Sequence, residues 1–125
     1  MNLIIDVGNT LLKLAVFDNQ MLTDKRSCDK VDFISTLEAL FIIYPRITDV
    51  IISSVGDFSE KEILFIQKRY ETIILNHQTK VPFKNQYKTP ETLGVDRIAL
   101  VSSAAIQYPK ENVLIIDVGS CITYD

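Results

Sequence analysis

The first segment whose residue types could do chemistry lies at the N-terminus, where an apolar run ends in Asp6-Val7-Gly8-Asn9-Thr10. A glycine at position 8 permits a tight turn and lets an anion approach the backbone. The N–H groups of Gly8, Asn9 and Thr10 could then point into one concavity of the kind that holds phosphate. Lys13 adds a cation within reach, and Asp6 could hold Mg²⁺ or its waters. The alternative is a plain hairpin turn, and this segment alone supports the two equally.

An internal repeat favours phosphate binding. The six residues Leu3-Ile4-Ile5-Asp6-Val7-Gly8 recur letter for letter at positions 114–119, and Ser120 follows the second copy. A repeat of this kind predicts two related lobes that open with the same strand and turn. Two such turns could clamp one polyphosphate between their backbone donors.

A second candidate site is Gly94-Val95-Asp96-Arg97, at the predicted start of a helix and directly after a polar loop. Asp96 could be a general base that takes a hydroxyl proton, while Arg97 grips an anionic group through two hydrogen bonds. A carboxylate suffices as the base in phosphoryl transfer, where positioning and charge neutralisation supply most of the catalysis. The structural alternative is that Asp96 complements the helix dipole and Arg97 is a solvated charge. Spacing alone leaves both open.

The elements that must position these residues follow from hydrophobic periodicity and turn signals. Strands are predicted at 2–7, 11–18, 21–28, 49–55, 72–75 and 112–118, and helices at 31–44, from Ser59 with a capping box to Glu62, and at 93–107. The last strand, 112–118, is expected to be buried. Residues 81–90 form a polar loop that could lie over a site. The order predicts an α/β fold with a β-hairpin at its front. Residues 1–110 would be the first lobe, and residues 111–125 the first strand and turn of a second.

Composition sets the class of protein. The chain has 125 residues, of which 47% are hydrophobic and 23% charged, with a net charge of −3. This balance is typical of a globular domain and lacks the basic footprint of a nucleic-acid binder. No apolar run reaches the roughly 18 residues of a membrane span, and the N-terminus does not resemble a signal peptide. We therefore expect a cytoplasmic protein. Cys28, Cys121 and His77 have no metal-binding spacing, and reduced thiols are expected.

The last four residues, Ile122-Thr123-Tyr124-Asp125, have the pattern of a strand interior. A natural terminus is not expected there, so the sequence predicts a piece of a longer protein. We expect 125 residues alone to fold imperfectly or bind phosphate weakly, with little catalytic activity in an ADP-release assay.

Taken in order, the Asp6–Thr10 segment, Gly94–Arg97 and Asp117-Val118-Gly119-Ser120 resemble type III pantothenate kinase, as does the stretch 85–90 before Gly94. The resemblance covers about the first half of a family member and implies a ribonuclease H-like, actin-like ATPase lobe with a mixed sheet. It also implies roles for individual residues. The ATP phosphates would be bound by Asp6, Val7, Gly8, Asn9, Thr10, Leu11, Leu12, Lys13 and Ser120. Pantothenate would be bound by Tyr87, Gly94, Val95, Asp96 and Arg97, with Asp96 as proton acceptor.

The resemblance further implies the reaction, which is ATP-dependent phosphorylation of pantothenate to 4'-phosphopantothenate, the first step of coenzyme A synthesis. Asp117 would bind a monovalent cation, K⁺ or NH₄⁺, and Mg²⁺ would accompany ATP. Family members are homodimers. Two alternatives stay open, namely a kinase of the same superfold that acts on another hydroxyl, such as a sugar, and a non-catalytic regulatory relative.

Overall fold

A computed structural model describes residues 1–55, 58–119 and 121–125 of the chain. These residues form two compact units, Met1–Leu75 and Asn76–Asp125. The predicted lobe boundary near residue 110 stays a prediction.

The first unit is built on one five-stranded sheet. Its strands are β1 (Asn2–Val7), β2 (Leu12–Asp18), β3 (Met21–Cys28), β4 (Asp49–Ser54) and β5 (Glu71–Ile74), and its helices are α1 (Phe33–Ile43) and α2 (Glu60–Gln67). The strand order is β3-β2-β1-β4-β5. β1 pairs antiparallel with β2 and parallel with β4. The predicted mixed sheet with an N-terminal hairpin and flanking helices is therefore confirmed.

Strict alternation along β1 and β2 creates the core. Leu3, Ile5 and Val7 of β1 are buried, as are Leu12, Leu14 and Val16 of β2. They form one hydrophobic cluster with side chains from both helices and β4, which include Phe33, Leu37, Leu40, Ile52 and Ile66. Each such side chain contributes about 1.5–3 kcal/mol when it is removed from water. Because successive side chains point to opposite faces of a strand, the residues between them lie on the other face of the sheet.

Local signals explain where the elements begin and end. α2 begins at the predicted capping box, in which the Ser59 hydroxyl accepts the Glu62 N–H at 3.3 Å. The Glu62 carboxylate in turn accepts the Ser59 N–H at 2.9 Å. The predicted turn between β2 and β3 contains Asn19 at a φ of 54°, a left-handed conformation that asparagine tolerates.

The second unit contains an irregular loop, one short 3-10 turn (Pro90–Thr92), helix α3 (Val95–Gln107) and the antiparallel strands β6 (Ile116–Val118) and β7 (Ile122–Tyr124). The hairpin expected after Gly119 is thus present. Among the described residues, no helix is long and apolar enough to cross a membrane.

Two sequence expectations in the second unit are wrong. Strand β6 begins four residues later than predicted, and Ile116 and Val118 are 54% and 72% exposed instead of buried. Burial of a strand on both faces needs a packed layer on each side, and the described part of this unit offers a two-stranded hairpin and one α-helix.

The capping box gives a test of the fold. Changing Ser59 to alanine should lower the free energy of unfolding by about 1 kcal/mol, because the Glu62 N–H loses its side-chain acceptor and keeps only the Ser59 carbonyl at 3.1 Å. Urea denaturation followed by circular dichroism measures this change. Ser27→Ala, at an exposed position of β3, is the control and should stay within about 0.5 kcal/mol of the wild type. An equal effect of both changes would contradict the capping assignment.

Candidate functional site

Three polar side chains lie side by side on the sheet face opposite to Ile5 and Ile52. Asp6 of β1 pairs directly with Lys13 of β2 and with Ser53 of β4. The Lys13 ammonium lies 3.5 Å from the Asp6 carboxylate, and the two side chains are 57% and 35% exposed. An ion pair this exposed contributes at most about 1 kcal/mol, so Lys13 is free to turn to another anion.

Ser53 lies on the other side of Asp6, and sequence reasoning missed it. The residue is only 7% exposed. Among the described residues, its buried hydroxyl has no hydrogen-bond partner. A buried hydroxyl without a partner costs roughly 1–3 kcal/mol, which a water or ligand oxygen at this point would recover. The only signal for it in the sequence is a pair of serines that ends an otherwise apolar strand.

The turn after β1 differs in part from the prediction. The Gly8 N–H donates to the Leu11 carbonyl at 3.2 Å. This donor is therefore satisfied within the turn, and the expectation that it faces a phosphate is wrong. Glycine is favoured here because a Cβ would lie 3.1 Å from the Leu11 carbonyl oxygen. The N–H groups of Asn9 and Thr10 stay the predicted phosphate donors, and both residues are exposed.

Two of the predicted ATP-binding residues have their side chains in the core. Val7 and Leu12 are each 3% exposed and belong to the hydrophobic cluster. Only their backbone could contact a ligand. Leu11, between the turn and β2, is 41% exposed.

In the second unit, Tyr87 lies against Arg97, and the pantothenate-binding role that the resemblance implies for both stays a prediction. The Arg97 guanidinium lies over the Tyr87 ring, with its carbon 5.3 Å from the ring centroid. The Asn85 side chain accepts the Tyr87 N–H at 2.9 Å and so fixes the loop before the ring. One edge of Arg97 is bound to Asp125, with 3.1 Å and 2.9 Å from Nε to the two carboxylate oxygens. In this conformation that edge of Arg97 is therefore not free to bind an anionic group of a ligand through two hydrogen bonds, which is one of the roles that the sequence leaves open.

Asp96 turns back toward its own helix. Its carboxylate accepts the Arg97 N–H at 2.8 Å, in the first turn of α3. Gly94, the residue that caps this helix, lies so close that a Cβ there would collide with Oδ1 of Asp96. Gly94 adopts ordinary backbone angles, with φ at −56° and ψ at 135°. The glycine is therefore needed for the space that the Asp96 carboxylate occupies.

The second copy of the repeat forms a similar hairpin with a different partner for its aspartate. Asp117 pairs with Thr123, whose buried hydroxyl has no partner among the described residues. In the first copy a lysine holds the corresponding place. Gly119 donates its N–H to the Cys121 carbonyl at 3.0 Å, and a Cβ on Gly119 would meet nothing within 4 Å. Ser120 lies outside the described residues.

The oxygens at these two aspartates fit hard cations. Mg²⁺ is usually held by one or two carboxylates together with water and substrate phosphates, which suits Asp6 beside the unpartnered Ser53 hydroxyl. Asp117 and the Thr123 hydroxyl offer oxygens of the same kind on one face of a hairpin. Within the described parts of the chain, no three His, Cys, Asp or Glu residues cluster as a complete metal site. Any ion would therefore need ligand or solvent oxygens as well.

The mixed sheet, its front hairpin and the repeated Asp-Val-Gly turn define a lobe of the actin-like ATPase class. Comparison with known families narrows this class, because the family profile described as type III pantothenate kinase matches residues 2–125. The chain belongs to the type III pantothenate kinase family.

Individual relatives agree with this assignment. A type III pantothenate kinase from Christiangramia forsetii is 48% identical over 100% of this chain and 51% of its own length. The enzyme of the same name from Flavobacterium johnsoniae is 38% identical over 100% and 51%. A third, from Aquifex aeolicus, is 31% identical over 98% and 49%. The chain thus spans about half the length of these relatives.

The contact between Gly94 and Asp96 gives a prediction. Gly94→Ala should displace the Asp96 carboxylate and break its hydrogen bond to the Arg97 N–H, whose NMR signal should shift upfield. The free energy of unfolding should also fall by roughly 1 kcal/mol, because alanine is a poorer N-cap than glycine. Gly119→Ala is the control and should leave both readouts unchanged. An unshifted Arg97 amide in Gly94→Ala would contradict the placement of Asp96.

Proposed function

We propose that this chain supplies the phosphate-binding turn and the catalytic base of an ATP-dependent pantothenate kinase. The observation that carries the proposal is the grouping at the start of α3. There Asp96 is the second residue after the capping Gly94, and Arg97 lies against Tyr87. These are the positions that the family resemblance assigns to pantothenate. Family membership and the names of the relatives support the same reaction.

The reaction joins the primary hydroxyl oxygen of pantothenate to the γ-phosphorus of ATP, while the bond from that phosphorus to the ADP oxygen breaks. Asp96 accepts the hydroxyl proton as the new bond forms. The Arg97 N–H holds the Asp96 carboxylate by one oxygen at 2.8 Å, which leaves the other oxygen for the substrate. Tyr87 and Arg97 bind pantothenate and orient its hydroxyl.

The phosphates of ATP are bound at the turn after β1. The N–H groups of Asn9 and Thr10 and the Lys13 ammonium are the donors there, and the backbone at Val7, Gly8, Leu11 and Leu12 shapes the turn. Asp6 would hold Mg²⁺, directly or through water, with Ser53 as a neighbouring hydroxyl. Bound there, Mg²⁺ would neutralise charge that develops on the phosphates. Asp117 and Thr123 would hold K⁺ or NH₄⁺, and Ser120 would contact the ATP phosphates.

The active form is a cytoplasmic homodimer that binds pantothenate and ATP, with no role for nucleic acid or membrane. A kinase of the same superfold that acts on a sugar is the competing activity. A panel of hydroxyl acceptors with labelled ATP separates the two, since only pantothenate should be phosphorylated. Binding of neither pantothenate nor MgATP in calorimetry would instead indicate a non-catalytic relative.

Asp96→Asn tests the assignment of the base. In the whole protein, with any residues that follow position 125, turnover should fall by about 10² to 10⁴, because the amide cannot accept the proton. The affinity for MgATP should stay near the wild-type value. A coupled ADP-release assay measures turnover, and calorimetry measures ATP binding.

The control is Asp29→Asn, which removes an exposed carboxylate of the first unit. It should retain wild-type turnover with the same ATP affinity. An Asp96→Asn enzyme that phosphorylates pantothenate near the wild-type rate would remove Asp96 from the mechanism.

A further inference from the structure

The Arg97 side chain is held on one edge by a residue that the family resemblance does not assign to the site. Its Nε donates to both carboxylate oxygens of Asp125, at 3.1 Å and 2.9 Å, and its Nη2 donates to the same carboxylate. Nη2 also donates to the Tyr124 carbonyl at 3.2 Å. These bonds use the Nε–Nη2 edge of the guanidinium, so among the described residues Nη1 is the nitrogen that neither Asp125 nor the Tyr124 carbonyl binds.

The acceptor is itself fixed. The backbone of Asp125 exchanges two hydrogen bonds with Ile115, at 2.9 Å and 3.1 Å, which extend the β6–β7 ladder by one pair. The side chains of Arg97 and Asp125 are only 20% and 13% exposed. A paired, charge-assisted bond with this little exposure is held far more firmly than a surface ion pair. The hydrogen bond to Asp125 also raises the pKa of Arg97, so the guanidinium stays charged.

The Tyr87 ring covers one face of the Arg97 guanidinium. The ring centroid lies 5.3 Å from the guanidinium carbon, within the range of a cation–π contact. The guanidinium is thus bound at one edge and covered by an aromatic ring on one face. Such a group has little rotamer freedom left to lose when a ligand binds.

We propose that Asp125 is a positioning residue for substrate binding. It holds Arg97 by the Nε–Nη2 edge so that Nη1 is presented to the single anionic group of the substrate. The inference rests on the proposed function, in which that group is the carboxylate of pantothenate. Asp125 itself does not touch the substrate.

Two other roles would leave different signatures. A purely structural pair would lower stability when broken but would leave the pantothenate KM unchanged. A carboxylate that competes with the substrate for Arg97 would lower that KM when neutralised, because the guanidinium would be released. A positioning role predicts instead that neutralising Asp125 raises the pantothenate KM. The substrate must then order an Arg97 side chain that Asp125 no longer holds.

The test is steady-state kinetics of the whole protein, including any residues after position 125, with pantothenate varied at saturating MgATP and then the reverse. Asp125→Asn should raise the KM for pantothenate about tenfold, because the substrate must then order the Arg97 side chain, and should leave the KM for ATP unchanged. Asp125→Glu, which keeps the charge, should recover part of the loss. In an Arg97→Gln background, Asp125→Asn should have no further effect, because the group that it positions is gone.

Asp24→Asn is the matched control, since it breaks another partly buried aspartate–arginine pair, in which Arg26 donates to Asp24 at 3.0 Å and 3.2 Å. It should leave both KM values at wild type. An unchanged or lowered pantothenate KM in Asp125→Asn would overturn the positioning role. A wild-type protein that does not phosphorylate pantothenate would instead overturn the proposed function.

A second measurement uses the wild-type protein and does not depend on the variants folding. The Arg97 Nε–H signal is followed by ¹⁵N NMR while pantothenate is added. The Nε–H chemical shift should stay nearly constant while the Nη1 signal changes, because the bond between Nε and Asp125 persists in the complex. A large change at Nε, as expected when the substrate displaces Asp125, would contradict the inference.

Discussion

The pairing register of β1 is the constraint on which the first unit depends. β1 lies between β2 and β4, and the same register places Ile5 against Leu14 and Ile52 in the core. Because side chains alternate, that register also aligns Asp6 with Lys13 and Ser53 on the opposite face. A slip of one residue would bury the carboxylate and expose the isoleucine. The hydrophobic core therefore fixes where Asp6, Lys13 and Ser53 lie, even though the ion pair between Asp6 and Lys13 is weak.

A different constraint acts at the start of α3. Adjacent residues on a helix point about 100° apart, so Asp96 and Arg97 cannot face the same way. Asp96 folds back onto the Arg97 N–H, while the Arg97 side chain extends to Tyr87 and Asp125. The two neighbouring side chains thus have separate surroundings, as the separate roles proposed for them require. A glycine before them keeps the space around the carboxylate open.

Much of the first unit could be predicted from sequence, and the reasons are local. Strand β1 agrees with its predicted range because its apolar run is closed by the turn residues Gly8 and Asn9. The satisfied N–H of Gly8 could not be foreseen, since it depends on where Leu11 places its carbonyl. Arg97 and Asp125 are 28 residues apart, and no period or motif connects them. The exposure of Val118 was missed because an apolar run does not reveal what packs against it.

The two copies of the Leu-Ile-Ile-Asp-Val-Gly repeat have diverged at the residue opposite the aspartate. The first copy has Lys13 there, and the second has Thr123. The Asp6 carboxylate thus has its counter-charge in the Lys13 side chain. The second carboxylate is paired with Thr123, a residue without charge. The same six-residue segment therefore places its aspartate in two different electrostatic settings, one with a cation across the ladder and one with a hydroxyl.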